Sequence, residues 1–261
     1  MKHSDLTAKP IAFFGDIHGH WDFVKQIPEV LDDHYWVFVG DYMDSFTQRV
    51  QLQIACLTQI RDWIFDLKAM AIPGNHDLQY VWRSYRCSGY KPDTQARMYP
   101  YHDFILGLPH CLLIDNVLVT HAGLTRPLHD KLIQKYPGEP LDQILEIEGN
   151  RQDSIVHECG ISRGGAAAWG GIYWCDWTAE FDPVPGLHQV FGHSHSPTPP
   201  RLFTEETDGN LRFVRFCDSR SYNIDCLSRK GVFDVLTYDN YKFGRIRLKY
   251  DSNGKLERAS G

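Results

Sequence analysis

The chain has 261 residues, 43% of them hydrophobic, enough to fill a substantial core in one large domain or two small ones. A formal charge of -6 and a pI of about 6.1 argue against a nucleic-acid duplex or an anionic membrane as the main partner, since both need a basic face. No apolar run approaches the roughly 18–20 residues of a membrane span, and the start MKHSDLTAKP lacks the apolar segment of a secretory signal.

Seven cysteines (56, 87, 111, 159, 175, 217 and 226) are scattered without a C-x-x-C pair, which suits reduced thiols in a cytoplasm better than a disulfide framework. From the N-terminus, IAFFGD (11–16) is a short apolar run closed by Gly-Asp and predicts a buried strand feeding a loop. WDFVKQIPEVL (21–31) has helical spacing that Pro28 should bend or shorten. YWVFVGD (35–41) repeats the strand and Gly-Asp pattern. RVQLQIACLTQIRDWIFDL (49–67) predicts a helix from apolar residues at 50, 52, 54, 57, 60, 64 and 67. AMAIPGNHD (69–77) is a third short strand ending in a polar loop. Strand, helix, strand, helix, strand implies consecutive parallel pairing.

The second half has a different pattern. CLLIDNVLVTHAG (111–123) holds two apolar runs around Asp115-Asn116, a predicted hairpin. GISRGGAAAWGGIYWCDW (160–177) is a glycine- and tryptophan-rich loop packed by its own aromatics. HQVFGHSH (188–195) is again a strand entering a polar loop. LRFVRFCD (211–218), GVFDVLTYD (231–239) and GRIRLKY (244–250) predict a mostly antiparallel end, and the tail from Ser252 is expected to fray. No shift in composition marks a boundary, so residues 1–261 are expected to form a single domain.

Five loops that follow apolar runs carry the chemistry: GDIHGH (15–20), GDYMD (40–44), GNHD (74–77), THAG (120–123) and GHSH (192–195). One Gly-Asp turn is ordinary. Five such loops in an open α/β sheet, whose strand ends face one crevice, form a set. Carboxylate, imidazole and amide donors without thiolate suit Mn, Fe, Zn or Co. Such an ion would neutralise a buried Asp41. His20, His102, His110, His129, His157 and His188 match no pattern and are expected to be ordinary core or surface histidines. Trp169, Trp174 and Trp177 are expected to pack the loop that carries them, with stacking on a nucleobase the less favoured role.

Asp16-x-His18, Gly40-Asp41-x-x-Asp44, Gly74-Asn75-His76-Asp77, His121 and Gly192-His193-x-His195 resemble the calcineurin-like metallophosphoesterases motif for motif, from residue 11 to about 218. The closest branch is that of the phosphoprotein phosphatases and symmetrical diadenosine tetraphosphate hydrolases. The resemblance implies an α/β (α+β) fold of two packed mixed β-sheets flanked by helices, a four-layer sandwich with a two-metal site at the strand ends. It implies Asp16, His18 and His195 on one divalent ion, Asn75, His121 and His193 on the other, and Asp41 bridging them. Two ions roughly 3.5–4 Å apart would supply hydroxide at neutral pH. His76 would protonate the leaving oxygen, with Asp44 fixing its tautomer.

The chain departs from that branch where arginines usually follow the second aspartate and precede Gly-Asn-His; Ser45 and Pro73 stand there. Guanidinium groups clamp phosphate oxygens, so replacements are expected: Arg220 and Tyr222 in CDSRSYN (217–223), or Arg163 in the glycine-rich loop. The expected activity is hydrolysis of phosphate monoesters, as in a serine/threonine protein phosphatase acting on a phosphoprotein. The alternative is a nucleotide substrate, either a diadenosine polyphosphate or a phosphodiester. A non-catalytic metal-binding scaffold is the remote third, since a scaffold has little use for His76 and Asp44.

Overall fold

In the computed structural model, residues 1–82, 85–195, 200–225 and 232–259 are described. Their strands, in chain order, are β1 (Ile11–Phe14), β2 (Tyr35–Phe38), β3 (Ala69–Ala71), β4 (Leu112–Ile114), β5 (Val117–Val119) and β6 (His188–Phe191), followed by β7 (Glu205–Asp208), β8 (Leu211–Phe216), β9 (Ser219–Asn223), β10 (Val232–Asp239), β11 (Lys242–Tyr250) and β12 (Leu256–Arg258). They form two mixed six-stranded sheets with flanking helices, an α/β architecture. Each sheet belongs to its own unit of the chain.

The first unit takes residues 2–108 and 232–259, and its sheet runs β12-β11-β10-β1-β2-β3. As the sequence predicts, β1, β2 and β3 are parallel, with Ile11 opposite Tyr35 and Trp36 opposite Ala69. Every residue of β1 and β2 is buried, the pattern of strands covered on both faces. The helix Val50–Phe65 buries Gln53, Cys56, Leu57, Ile60 and Trp63, one stripe at helical spacing. Trp63 lies against Trp36 and Phe38 of β2, with ring centroids 4.8 and 6.2 Å apart. The helix stops short of residue 67 because Leu67 has φ +57°. Pro28 acts as expected: residues 21–31 break into Trp21–Val24 and Ile27–Val30, with the proline in the first turn of the second piece.

The second unit takes Met1 and Pro109–Asp225, and its sheet runs β4-β5-β6-β9-β8-β7. β4 and β5 form the predicted hairpin, turning at Asp115 with φ +53°. β5, β6 and β9 are parallel, and β8 and β7 add antiparallel at the far edge. A cluster of Trp177, Phe181, Phe191, Val214, Ala122 and Cys175 anchors its core.

Three sequence expectations change. The polar loop expected after β3 opens a short helix, Asn75–Leu78, capped by the Asp77 carboxylate, which accepts from the N–H of Gly74 just before it. The antiparallel end divides: Leu211–Phe216 pairs within the second sheet, whereas Val232–Asp239 and Lys242–Tyr250 belong to the first. Gly231, which opened one of those runs, lies outside the described residues. The tail is not frayed from Ser252, since Leu256–Arg258 pairs with β11 and Leu256 is buried. Among the described residues no helix is long and apolar enough to cross a membrane.

Candidate active site

In the first unit, the ends of β1, β2 and β3 lie side by side and deliver three loops in turn. The first carries Asp16 and His18, the second Asp41 and Asp44, and the third Asn75, His76 and Asp77. Backbone bonds lock the loops together. Ile17 and His18 donate their N–H groups to the Asp41 carbonyl at 3.1 and 2.8 Å. The Asp77 carboxylate accepts from the N–H groups of Asp41, Tyr42 and Gly74 at 2.9, 3.0 and 2.9 Å. A Cβ on Gly74 would lie 2.1 Å from Asp41 Oδ1, and one on Gly40 2.4 Å from the Gly74 nitrogen, so both glycines are required by close approach. His18, Asp41 and Asp44 have φ of +41°, +54° and +63°. Such left-handed conformations are strained for side-chain-bearing residues and concentrate at functional sites.

Asp16, His18 and Asp41 place one ligand atom each within 4.8 Å of the others. His18 Nε2 is 3.9 Å from Asp16 Oδ2 and 3.8 Å from Asp41 Oδ2. Its Nδ1 lies 2.6 Å from the Met43 carbonyl. A carbonyl only accepts, so Nδ1 carries the proton and Nε2 presents a lone pair toward the two carboxylates. Two buried carboxylates converging on one imidazole lone pair fit a divalent cation with oxygen and nitrogen ligands.

His76 adjoins this group, with its ring centroid 5.2 Å from that of His18. Its backbone N–H donates to Asp41 Oδ1 at 2.9 Å and its Nδ1 to Asp44 Oδ2 at 3.0 Å. Burial alone would push the His76 pKa down. The charge of Asp41, the hydrogen bond and charge of Asp44, and the charge of Asp77 outweigh it and raise it to about 9. Asp44 also accepts from the Gln79 amide and the Tyr80 hydroxyl, two partners the sequence motifs do not announce. Asn75 is buried, and its backbone carbonyl accepts from the Cys87 thiol at 3.0 Å.

In the second unit, β5 leads to His121 and β6 to His193. The Gly192 N–H donates to the His121 carbonyl at 2.8 Å, and His121 Nε2 lies 3.2 Å from His193 Nδ1. His193 has φ +67°. His195 is exposed, with Nδ1 3.0 Å from the Asp225 carbonyl. Between the two histidines Ser194 is buried, and its hydroxyl accepts from Arg163 Nη2 at 2.6 Å. Arg163 Nε also lies 2.9 Å from Asp176 Oδ2, an ion pair off the axis of a hydrogen bond. Arg163 thus stands at the histidine turn from a loop some thirty residues earlier.

Arg220 and Tyr222 share one face of β9 and pair with each other, Arg220 Nη1 to Tyr222 Oη at 3.3 Å, with the guanidinium over Phe213. Asn223, on the opposite face, donates to the Ser194 carbonyl at 2.8 Å. Trp177 is fully buried against Phe181 and Phe191, as the packing expectation has it. Trp174 meets the His193 ring edge-on at 5.9 Å, and Trp169 lies under Lys131. His110 and His157 are core histidines around Tyr173, with burial holding the His157 pKa down at about 4.

The model of the calcineurin-like phosphoesterases matches residues 9–197, well over half of the chain and all five motif loops. The chain belongs to the calcineurin-like phosphoesterase family. This makes it a metal-dependent phosphoester hydrolase, with divalent ions as cofactors and a phosphorylated compound as substrate. Among solved structures, it is similar to a protein serine/threonine phosphatase from Saccharomyces cerevisiae that itself resembles human phosphatase PP5. Identity is 15%, coverage 94% of this chain and 81% of that one, and the TM-score 0.51. A cold-active protein-tyrosine phosphatase of a psychrophilic Shewanella species is similar at 15% identity over 97% of this chain and 81% of that one, with a TM-score of 0.50. At these identities the two likenesses concern the fold alone. No curated protein matches the chain.

Proposed function

We propose that this calcineurin-like phosphoesterase hydrolyses phosphate monoesters, in the manner of a serine/threonine protein phosphatase, with residues 1–261 acting as one catalytic domain. The proposed ligands are Asp16, His18 and His195 for one divalent ion and Asn75, His121 and His193 for the other, with Asp41 shared. Mn²⁺, Fe and Zn²⁺ are the ions that this oxygen and nitrogen donor set suits. Bound there, they would supply Lewis acidity for a water and for the phosphoryl oxygens.

The observation that carries the reading is the pairing of His76 with Asp44. A chain that only held metal would need neither. With Nδ1 committed to Asp44, the His76 proton available for chemistry sits on Nε2, and the Asp44 carboxylate favours the imidazolium that carries it. His76 then protonates the departing alkoxide, and Asp44 stabilises the imidazolium before the transfer. Gln79 and Tyr80 hold Asp44 still for that task. Arg163, placed at the His193–His195 turn, is proposed to contact the substrate phosphate in place of the arginines that Ser45 and Pro73 displace. Arg220 and Tyr222 are proposed as a second, paired contact.

The test is steady-state hydrolysis by metal-stripped protein reconstituted with Mn²⁺, comparing p-nitrophenyl phosphate with bis-p-nitrophenyl phosphate. Preference for the monoester is the expected result. Preference for the diester would replace this reading by a nucleotide phosphodiesterase. Absence of turnover of both esters with Mn²⁺, Fe²⁺ and Zn²⁺ would overturn it.

A further inference from the structure

The segment from Gly160 to Trp177 holds little regular structure beyond the single turn Ile161–Arg163, yet it is tied at several points. Its ties converge on Glu180, a residue outside every motif. Glu180 is buried, and its carboxylate accepts three backbone N–H groups from the loop. Oε1 takes Ser162 at 3.0 Å, and Oε2 takes Gly170 at 2.8 Å and Asp176 at 3.3 Å. These donors lie near the start, in the middle and near the end of the segment, so one carboxylate gathers its whole length. Gly160 passes so near that a Cβ there would meet Glu180 Oε1 at 2.3 Å. Hydrogen bonds to an ionised acceptor are about twice as strong as neutral ones. Three on one buried carboxylate make a strong local constraint.

What the constraint positions is the polar end of the loop. Ser162, held by Oε1, directly precedes Arg163; Asp176, held by Oε2, carries the carboxylate 2.9 Å from Arg163 Nε. Trp177 N–H joins Arg163 Nη2 on the same Ser194 hydroxyl, at 3.2 and 2.6 Å. Nη2 donates to Ser194 and Nε faces the Asp176 carboxylate off a hydrogen-bond axis, so these two ties hold the guanidinium in place while Nη1 takes part in neither. The side chain keeps 28% of its surface exposed.

We propose that Glu180 is a positioning residue for substrate binding: it fixes the 160–177 loop so that Arg163 presents Nη1 to a phosphoryl oxygen. This rests on the reading of Arg163 as a phosphate contact. Glu180→Gln is the discriminating change, because one oxygen becomes an NH₂ that must face a backbone N–H donor. Loss of the Ser162 or Asp176 tie then frees Arg163 without touching any proposed metal ligand.

The experiment uses the Mn²⁺-loaded full chain and p-nitrophenyl phosphate, with Arg163→Ala, Glu180→Gln and the double variant. Metal content per chain and competitive inhibition by inorganic phosphate are measured alongside. Arg163→Ala is expected to raise KM and the phosphate inhibition constant roughly tenfold, the scale of one charge-assisted contact, with kcat changing less. Glu180→Gln is expected to raise both constants in the same direction, with metal content unchanged, and to add nothing in the Arg163→Ala background. Gly160→Ala, which crowds the same carboxylate from outside, should reproduce the KM rise and serves if Glu180→Gln fails to fold.

A KM effect of Arg163→Ala without one from Glu180→Gln or Gly160→Ala would overturn the role of Glu180 and leave Arg163 standing. Equal multiplication of KM by Glu180→Gln in both backgrounds would overturn it as well. An unchanged KM in Arg163→Ala would remove the Arg163 reading and the proposal with it.

Discussion

The two units carry their candidate residues in different ways. In the first, Asp16, His18, Asp41, Asp44, Asn75 and His76 all lie within a few residues of parallel strand ends. Their loops are joined by backbone bonds to the Asp41 carbonyl and the Asp77 carboxylate. In the second, His121 and His193 also follow strands, but Arg163 and Trp174 approach the His193 turn from a long irregular segment that a single carboxylate gathers. Groups placed by strand ends inherit their geometry from the sheet. Groups placed by a loop depend on the few side chains that tie it. Damage in the first unit should therefore strike chemistry, and damage in the 160–177 loop should strike affinity.

Removing divalent ions is expected to have the largest effect. Chelation should bring hydrolysis of p-nitrophenyl phosphate down to the buffer rate, and added Mn²⁺ should restore it; activity that survives exhaustive chelation would contradict the metal requirement. Next in size is Asp44→Asn, which leaves His76 without its carboxylate partner. With phenyl phosphate, whose leaving group needs a proton, a kcat loss of about 10²-fold with KM nearly unchanged is expected, and a loss confined to KM would move Asp44 from chemistry to binding. Tyr80→Phe removes one of the donors to Asp44 and should lower kcat by roughly threefold to tenfold. An effect as large as that of Asp44→Asn would mean that Tyr80 itself meets the substrate.

The smallest effect concerns stability, away from the proposed chemistry. Burial would raise the Glu148 pKa, but hydrogen bonds from Lys135, Ser154 and Tyr136 pull it from 4.5 to about 2. A folded-state value below the unfolded one contributes stability above the unfolded pKa that is lost as pH falls. Glu148→Gln should therefore lower Tm at pH 7, and the gap to the unmodified chain should close between about pH 4.5 and 2. A gap that stays constant over that range would show that packing, not the charge, accounts for the loss.

The same contrast explains how much the sequence discloses. The Gly-Asp and Gly-Asn turns at strand ends are local signals, so the first unit's candidates and the parallel order of β1, β2 and β3 could be read from residue order. Pro28 broke a helix where its chemistry says it must. β7 could not be read, because Glu205–Asp208 has no apolar residue and is a strand only through pairing with β8. β9 was hidden in a stretch rich in turn residues for the same reason. Gln79 and Tyr80 reach Asp44 only because Asn75–Leu78 forms a helix rather than an open loop. Glu180 has no local signature at all: its role exists only once three distant N–H groups converge on it.

The central claim is that His76, oriented by Asp44, protonates the leaving oxygen. It is tested most directly by the leaving-group dependence of His76→Ala in the Mn²⁺-loaded protein. p-Nitrophenolate departs without a proton, whereas phenolate needs one. The account predicts a kcat loss of roughly 10²–10⁴-fold with phenyl phosphate and a far smaller loss with p-nitrophenyl phosphate. Equal losses with both esters, or none with phenyl phosphate, would contradict it.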